Sequence, residues 1–235
     1  MIIDKIIAVE GLDKTGKSTF CNSFESIFTQ MVGINNNKIK KFSFPNISTP
    51  IGKSIRAELT SSNPDKNIVN TPSFLAEMSH FWMNELYNIH YTNVTTNNKN
   101  NLNNTNVVPQ QINYIFDRYF ISTLAYQAFF NNSKADLEFI KTALKINNFI
   151  KMPTDLIILD IPNEKIIERT LLDEQNGLND TNDTTNVDIL NARREAFKKS
   201  VNFLKGMGIN IHWFEDVSMY STDDLVKVMM GKIFG

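Results

Sequence analysis

Five short apolar runs punctuate the chain, at 2–9, 39–44, 112–116, 156–159 and 209–214. Ile, Val and Phe dominate them, and the first, third and fourth are apolar at successive rather than alternate positions. A strand covered on both faces has that pattern, which predicts that these three lie inside a parallel sheet. Between the runs, apolar positions recur at helical spacing over about 17–31, 50–60, 72–90, 119–130, 134–149, 163–173, 188–205 and 222–233. Thr71-Pro72 predicts an N-cap followed by proline at the first helical position, and Ser221 with Asp224 predicts a cap for the last helix. Strands alternating with helices over this length predict an α/β fold of three layers, with a five-stranded parallel sheet flanked by helices in a single domain over 1–235.

Two stretches break the periodicity. Residues 93–106 hold eight Asn in fourteen positions, with Lys99 as the only charge. So little apolar surface cannot offset the entropy of ordering, which predicts a mobile loop inserted at about 92–110, with no nucleic-acid role. Residues 173–188 are acidic and polar, contain no Lys or Arg, and carry turn chemistry at Asn176-Gly177. That composition between two helices predicts a flexible flap.

Composition narrows the function classes. Apolar residues make up 42% of the 235, enough for a full core, so a wholly disordered chain is excluded. Lys and Arg together number 24 against 25 Asp and Glu, so any polyanion must be bound by a local patch and not by bulk charge. The single cysteine, Cys21, rules out an internal disulfide and a cysteine-based zinc site, and its helical setting predicts a small buried side chain. The apolar run at the N-terminus is broken by Asp4 and Lys5, which predicts neither a signal peptide nor a membrane span and points to a cytoplasmic protein.

Chemistry enters directly after the first strand. Gly11-Leu12-Asp13-Lys14-Thr15-Gly16-Lys17-Ser18-Thr19 fits GxxxxGK[ST] between a strand and a helix. Gly11 and Gly16 let the backbone curl so that successive N–H groups face an anion, and the helix N-terminus adds its partial positive charge. Lys17 is placed to neutralise the β- and γ-phosphates, and Ser18 to ligate Mg²⁺. The third strand ends in Asp117-Arg118-Tyr119, with Ser122, Ala125, Tyr126 and Gln127 following. Parallel sheets place ligands at the carboxyl ends of their strands. There Asp117 is suited to Mg²⁺ or its water and Arg118 to a bidentate phosphate clamp.

With these segments in place the sequence resembles the thymidylate kinases among the nucleoside monophosphate kinases. The matching segments run in order: Glu10-Gly11-Leu12-Asp13 into the P-loop, Phe44-Pro45 with Gly52, and Asp117-Arg118-Tyr119-x-x-Ser122-x-x-Ala125-Tyr126-Gln127. They continue with Pro153-x-Asp155-Leu156-x-x-Leu159-Asp160-Ile161-Pro162, Glu168-Arg169 and Arg194-Glu195-Ala196-Phe197. The resemblance implies phosphorylation of dTMP by Mg·ATP in a homodimer packed through helices that include the 74–87 and 120–130 stretches. It implies ATP contacts at Gly11, Asp13, Lys14, Thr15, Gly16, Lys17, Ser18, Thr19, Arg169 and Arg194. Arg169 would lie at the adenine or the flap and Arg194 near the phosphates, although either could equally be a solvated helix charge. For the acceptor it implies a pocket walled by Phe44 and Pro45, with Asp13 at the sugar 3′-hydroxyl, Phe74 stacked on the base and Arg118 on the phosphate. Thr123 would meet the base edge, Tyr126 would crowd the 2′ position, and Gln127 would at least hold the loop. Read without the resemblance, Phe74 could equally be a core aromatic and Lys14 a solvated lysine.

Three departures matter. Met78 stands where the family usually carries an Arg that contacts the thymine carbonyl, which predicts a broader pyrimidine specificity or a modified base. Asn46 and Ile47 follow the Phe-Pro pair where a basic residue is common, and Phe197 stands where Tyr is usual. Because the flap has no cation, Lys14 is the expected transition-state clamp, which resembles the eukaryotic and viral type of P-loop. The rival readings are a deoxynucleoside kinase and an inactive nucleotide-binding module. The first needs a carboxylate base after the second strand, where Phe44-Pro45-Asn46 offers none.

Overall fold

The computed structural model describes residues 2–32, 37–61, 69–103, 111–146, 150–177 and 183–235. All five expected strands form, as β1 (Ile2–Glu10), β2 (Asn37–Ser43), β3 (Gln111–Asp117), β4 (Asp155–Leu159) and β5 (Asn210–Phe214). They pair in parallel in the order β2-β3-β1-β4-β5. The consecutive apolar positions of β1, β3 and β4 follow from this order, because those strands are interior and helices cover both of their faces. β5, on the edge, is only half-buried.

The helices are α1 (Lys17–Val32), α2 (Pro50–Leu59), α3 (Thr71–Asn103), α4 (Phe120–Thr123), α5 (Lys134–Ile146), α6 (Asn163–Gln175), α7 (Val187–Leu204) and α8 (Thr222–Phe234). Two separate cores give the three layers. On one face Phe20, Phe24 and Phe28 of α1 and Leu225, Val226 and Met229 of α8 pack on Ile7, Val9 and Ile157. On the other, residues of α3, α4 and α7 pack on Ala8, Tyr114, Phe116 and Leu156 around an aromatic cluster of Phe44, Phe81, Trp82, Phe116 and Tyr119. Cys21 is buried in the first of these cores, as expected, and burial pushes its thiol well up.

Local chemistry sets the boundaries. Ser221 caps α8 by accepting from the Asp224 amide (3.2 Å) and donating to its carboxylate (2.6 Å). At α3 the cap is Asn70, whose side chain accepts from the Ser73 amide (2.9 Å), one residue before the Thr71 expected to do so. The Asn-rich stretch also departs from expectation. α3 continues through it to Asn103, so the loop expected from residue 93 is helical there, and 104–110 lie outside the described residues. Extending a formed helix costs far less than nucleating one, and each Asn opposes extension by only a fraction of a kcal/mol, below about 0.7. After α4 the backbone widens into a π-helix over Leu124–Phe130. This type of widening is often found at functional sites.

Candidate active site

Because β1 sits between β3 and β4, the sheet order switches direction at its carboxyl end, where open α/β sheets bind their ligands. Val9 lies opposite Asp117, so the loop after β1 and the turn after β3 emerge side by side.

The first loop is shaped by glycine. Gly11 has φ +142°, and a Cβ there would stand 2.1 Å from the Leu159 carbonyl oxygen of β4. Gly16 has φ +90° and accepts from the Phe20 amide (2.9 Å) as α1 begins. Thr15 Oγ1 (2.9 Å) and Lys17 Nζ (2.5 Å) both donate to the Leu12 carbonyl, tying the loop into a ring. Lys17 is buried. Burial, and then the Arg118 charge, lowers its pKa to about 8 against the pull of Asp13, Asp117 and Glu10.

The second turn is held by a residue outside the P-loop motif. Glu10, fully buried at the end of β1, accepts from the amides of Tyr119 (2.7 Å) and Ser122 (3.0 Å) and from Ser122 Oγ (2.5 Å). These bonds fix the start of α4. They also hold Arg118, which donates its amide to Val9 O (2.9 Å), in the left-handed region at φ +69°. Burial dominates the titration of Glu10 and pushes it up to about 7, although Ser122, Arg118 and the two amides pull it down. From that turn the Arg118 guanidinium pairs with the Asp13 carboxylate and donates to Ser122 Oγ (3.2 Å). Burial alone would raise Asp13, but Arg118, then Lys17, Arg193 and Lys14, hold it below the usual carboxylate range. Ser18 Oγ donates to Asp117 Oδ2, which brings the two expected metal-binding oxygens into contact.

Three cavities meet around these groups. One, of about 210 Å³, is lined by Phe44, Pro45, Phe74, Met78, Arg118, Thr123, Tyr126 and Gln127, which include every residue expected at the acceptor, and by Asp13. A second, of about 660 Å³, holds Lys14, Gly16, Lys17, Ser18, Thr19 and Asp117 and shares Asp13, Phe44, Pro45, Arg56 and Arg118 with the first. A third, of about 250 Å³, lies on the other side of the P-loop between Thr15, Gly16, Thr19 and Arg169 and the Val217, Ser218 and Tyr220 segment. There Arg169 also donates to the Lys14 carbonyl (2.6 Å), so it braces the loop as well as lining the cavity.

Other expected residues sit differently. Arg194 does not reach the cavities. Its guanidinium is spent on Asp160 Oδ2 (2.7 Å), Asn163 Oδ1 (2.9 Å), Asn191 Oδ1 (3.2 Å) and the Ile161 carbonyl (3.0 Å), which pins α7 to the end of β4. The neighbouring Arg193 lines the first of these cavities instead. Lys14 Nζ is bound by two carboxylates of the acidic segment, Asp173 (2.5 Å) and Asp183 (2.9 Å), which raise its pKa against the opposing effect of burial. Of that segment, residues 178–182 lie outside the described residues. Of the stretches expected to pack a dimer, Phe120, Ile121, Leu124 and Ala125 are core, as are Leu75, Met78, Phe81 and Trp82, whereas Met83 and Tyr87 are exposed on α3. Among the described residues no helix is long and apolar enough to cross a membrane.

The fold and the sequence of the chain have counterparts among known proteins. The thymidylate kinase of Buchnera aphidicola subsp. Baizongia pistaciae is 27% identical over 168 residues, which cover 70% of this chain and 68% of that protein. The crystal structure of thymidylate kinase from Ehrlichia chaffeensis superposes with a TM-score of 0.56 at 16% identity, over 98% of each chain, which is a likeness of fold. The family model described as thymidylate kinase matches residues 9–211, from the end of β1 to the start of β5. The chain belongs to the thymidylate kinase family and is a kinase.

Proposed function

We propose that the enzyme transfers the γ-phosphoryl group of ATP to the 5′-phosphate of dTMP, giving ADP and dTDP, with Mg²⁺ as cofactor. The observation that carries this reading is the Asp13–Arg118 pair, which lines both the Phe74 cavity and the P-loop cavity. It supplies a cation where an acceptor phosphate in one cavity would face a nucleotide phosphate in the other. A phosphate acceptor carries about -1.5 to -2 charge near neutral pH, so it needs no general base. The cavity fits that requirement. Asp13 is the only carboxylate lining it among the described residues, and Arg118 already neutralises it. A nucleoside kinase would need that carboxylate available to take a proton.

The residues divide the work. The ring of backbone around Leu12 and Lys17 cradles the donor phosphates, and the cavity by Arg169, Val217 and Tyr220 is of a size for the adenine. Phe74, half-buried on α3, offers a face to the acceptor base, while Thr123 and Gln127 offer polar edges from α4 and its π-helical continuation. Arg118 orients the acceptor phosphate for in-line attack, and Lys14 steadies the phosphoryl group in flight once it leaves its carboxylates. Ser18 and Asp117 fit the metal. They are two hard oxygen donors in contact beside Lys17, and Mg²⁺ characteristically takes one or two such protein oxygens and fills its octahedron with water and phosphate oxygens. When bound it neutralises charge on the transferring phosphoryl group.

The test is a coupled assay with Mg·ATP against dTMP, dUMP, dCMP and dAMP, run beside the free nucleosides. Phosphorylation of dTMP with none of thymidine is the expected outcome. Refusal of all three pyrimidine monophosphates would overturn the acceptor assignment.

A further inference from the structure

The acceptor cavity has an arginine that the sequence pattern did not single out. Arg193, on α7, lines the cavity, and its guanidinium lies over two rings of the π-helical segment, 5.6 Å from the Tyr126 centroid and 5.5 Å from that of Phe130. Tyr126 is itself fixed, edge-on against Phe197 of α7 with centroids 5.6 Å apart. The two ring contacts hold the guanidinium in place, and an arginine so held is pre-organised for hydrogen bonding. It lines the same small cavity as Phe74 and Thr123, the residues read at the base, and as Tyr126 and Arg118, read at the sugar and the phosphate. Met78, which lines the same cavity, is 1% exposed and has no hydrogen atom to donate.

We propose that Arg193 is a specificity-determining residue of the acceptor cavity, donating from its place over Tyr126 and Phe130 to a carbonyl oxygen of a pyrimidine base. The inference rests on the reading of this cavity as the monophosphate site. An arginine only donates, so it selects for acceptor atoms. The 2-carbonyl is common to thymine, uracil and cytosine, and a purine has no counterpart at that position. Met78 adds no polar contact that would separate a 4-oxo from a 4-amino group. The cavity accordingly takes deoxypyrimidine monophosphates as a class, with the base anchored from α7 and not from α3.

Steady-state kinetics test this on the full-length enzyme. Arg193→Met keeps an unbranched apolar side chain beside the two rings, but removes the guanidinium and with it every donor. A hydrogen bond from a charged donor is worth enough that KM for dTMP, dUMP and dCMP should each rise about 10- to 100-fold, with kcat within about threefold. KM for ATP should stay at the parent value, and the melting temperature should fall by no more than the loss of the two ring contacts accounts for, whereas a merely structural role would move KM for ATP as well. Arg193→Lys preserves charge and stem but loses the planar fork, and should also raise the pyrimidine KM values should the Met variant fold poorly. An unchanged KM for dTMP in both variants overturns the proposal while leaving the monophosphate kinase reading intact. A parent enzyme that takes dTMP and refuses both dUMP and dCMP overturns the class selectivity. A parent enzyme that phosphorylates no pyrimidine monophosphate defeats the underlying reading instead.

Discussion

The buried carboxyl of Glu10 gives the fold a stability that depends on pH, and Glu10→Gln should remove that dependence. Burial pushes Glu10 from its ordinary 4.5 up to about 7. Between those values the native state holds a proton that the unfolded chain has released, so stability falls as pH rises, and the loss is complete above about pH 8. A tenfold difference in proton affinity between the two states corresponds to about 1.4 kcal/mol. Counting only the part that falls between pH 5 and pH 8, the parent should lose on the order of 2 to 3 kcal/mol through this one group. Glutamine retains an oxygen to accept from the Tyr119 and Ser122 amides, and its NH₂ can donate to Ser122 Oγ, so the start of α4 should keep its shape. Urea unfolding of parent and variant at both pH values gives four free energies. Titrating groups not coupled to Glu10, Glu77 among them, cancel in the double difference, and Lys17, which Glu10 raises, adds only at the upper edge of the window. The variant's fall from pH 5 to pH 8 should be smaller than the parent's by on the order of 2 to 3 kcal/mol. Equal falls in the two proteins would refute the account of Glu10 as a desolvated carboxyl.

Two further expectations concern the cation at the P-loop. Lys14→Met should lower kcat about 100-fold or more while leaving KM for dTMP within about threefold, because a clamp on the moving phosphoryl group acts only in the transition state; unchanged turnover would remove Lys14 from the mechanism. The double replacement Asp173→Asn with Asp183→Asn frees that ammonium from both carboxylates that bind it, so KM for ATP should fall severalfold. A rise in that KM would mean that the two carboxylates aim Lys14 and do not compete for it.

What the sequence disclosed and what it hid have physical reasons. β1, β3 and β4 were legible because burial on both faces leaves an uninterrupted apolar run, and the P-loop because its glycines answer to backbone constraints that only glycine meets, as the approach of Gly11 to Leu159 demonstrates. The 93–103 part of α3 was misread because a polar helix without an apolar face carries no period to detect. The π-helix was invisible for a different reason: Leu124-Ala125-Tyr126-Gln127-Ala128-Phe129-Phe130 is as good an α-helix by composition, and its widening is a tertiary effect. Arg193 and Arg194 both lie within one turn of buried Leu190 and Phe197, so the phase of α7 does not separate them. Only the neighbours do, with Asp160 claiming one and the Tyr126 and Phe130 rings the other. The acidity of the 173–188 segment was plain, but its partner Lys14 is 159 residues from Asp173, beyond any local pattern.

That pairing belongs to a wider arrangement. Lys14, Lys17 and Arg118 are gathered into one small region of a chain whose net charge is -1, and unpaired cations so close and so buried would repel one another and resist desolvation. Each has a stand-in for phosphate oxygen: Asp173 and Asp183 for Lys14, the Leu12 carbonyl for Lys17, Asp13 for Arg118. The strength of the stand-in differs, and so does the effect on charge. Carboxylates keep Lys14 and Arg118 fully protonated, whereas burial and the Arg118 charge bring Lys17, whose partner is a neutral carbonyl, down to about 8. On the proposed reading, arriving phosphates exchange with oxygen ligands already in place, so binding costs little reorganisation of the protein. Lys17 is then the one cation whose proton is secured by the nucleotide itself, and donor binding above pH 8 should weaken first through that residue.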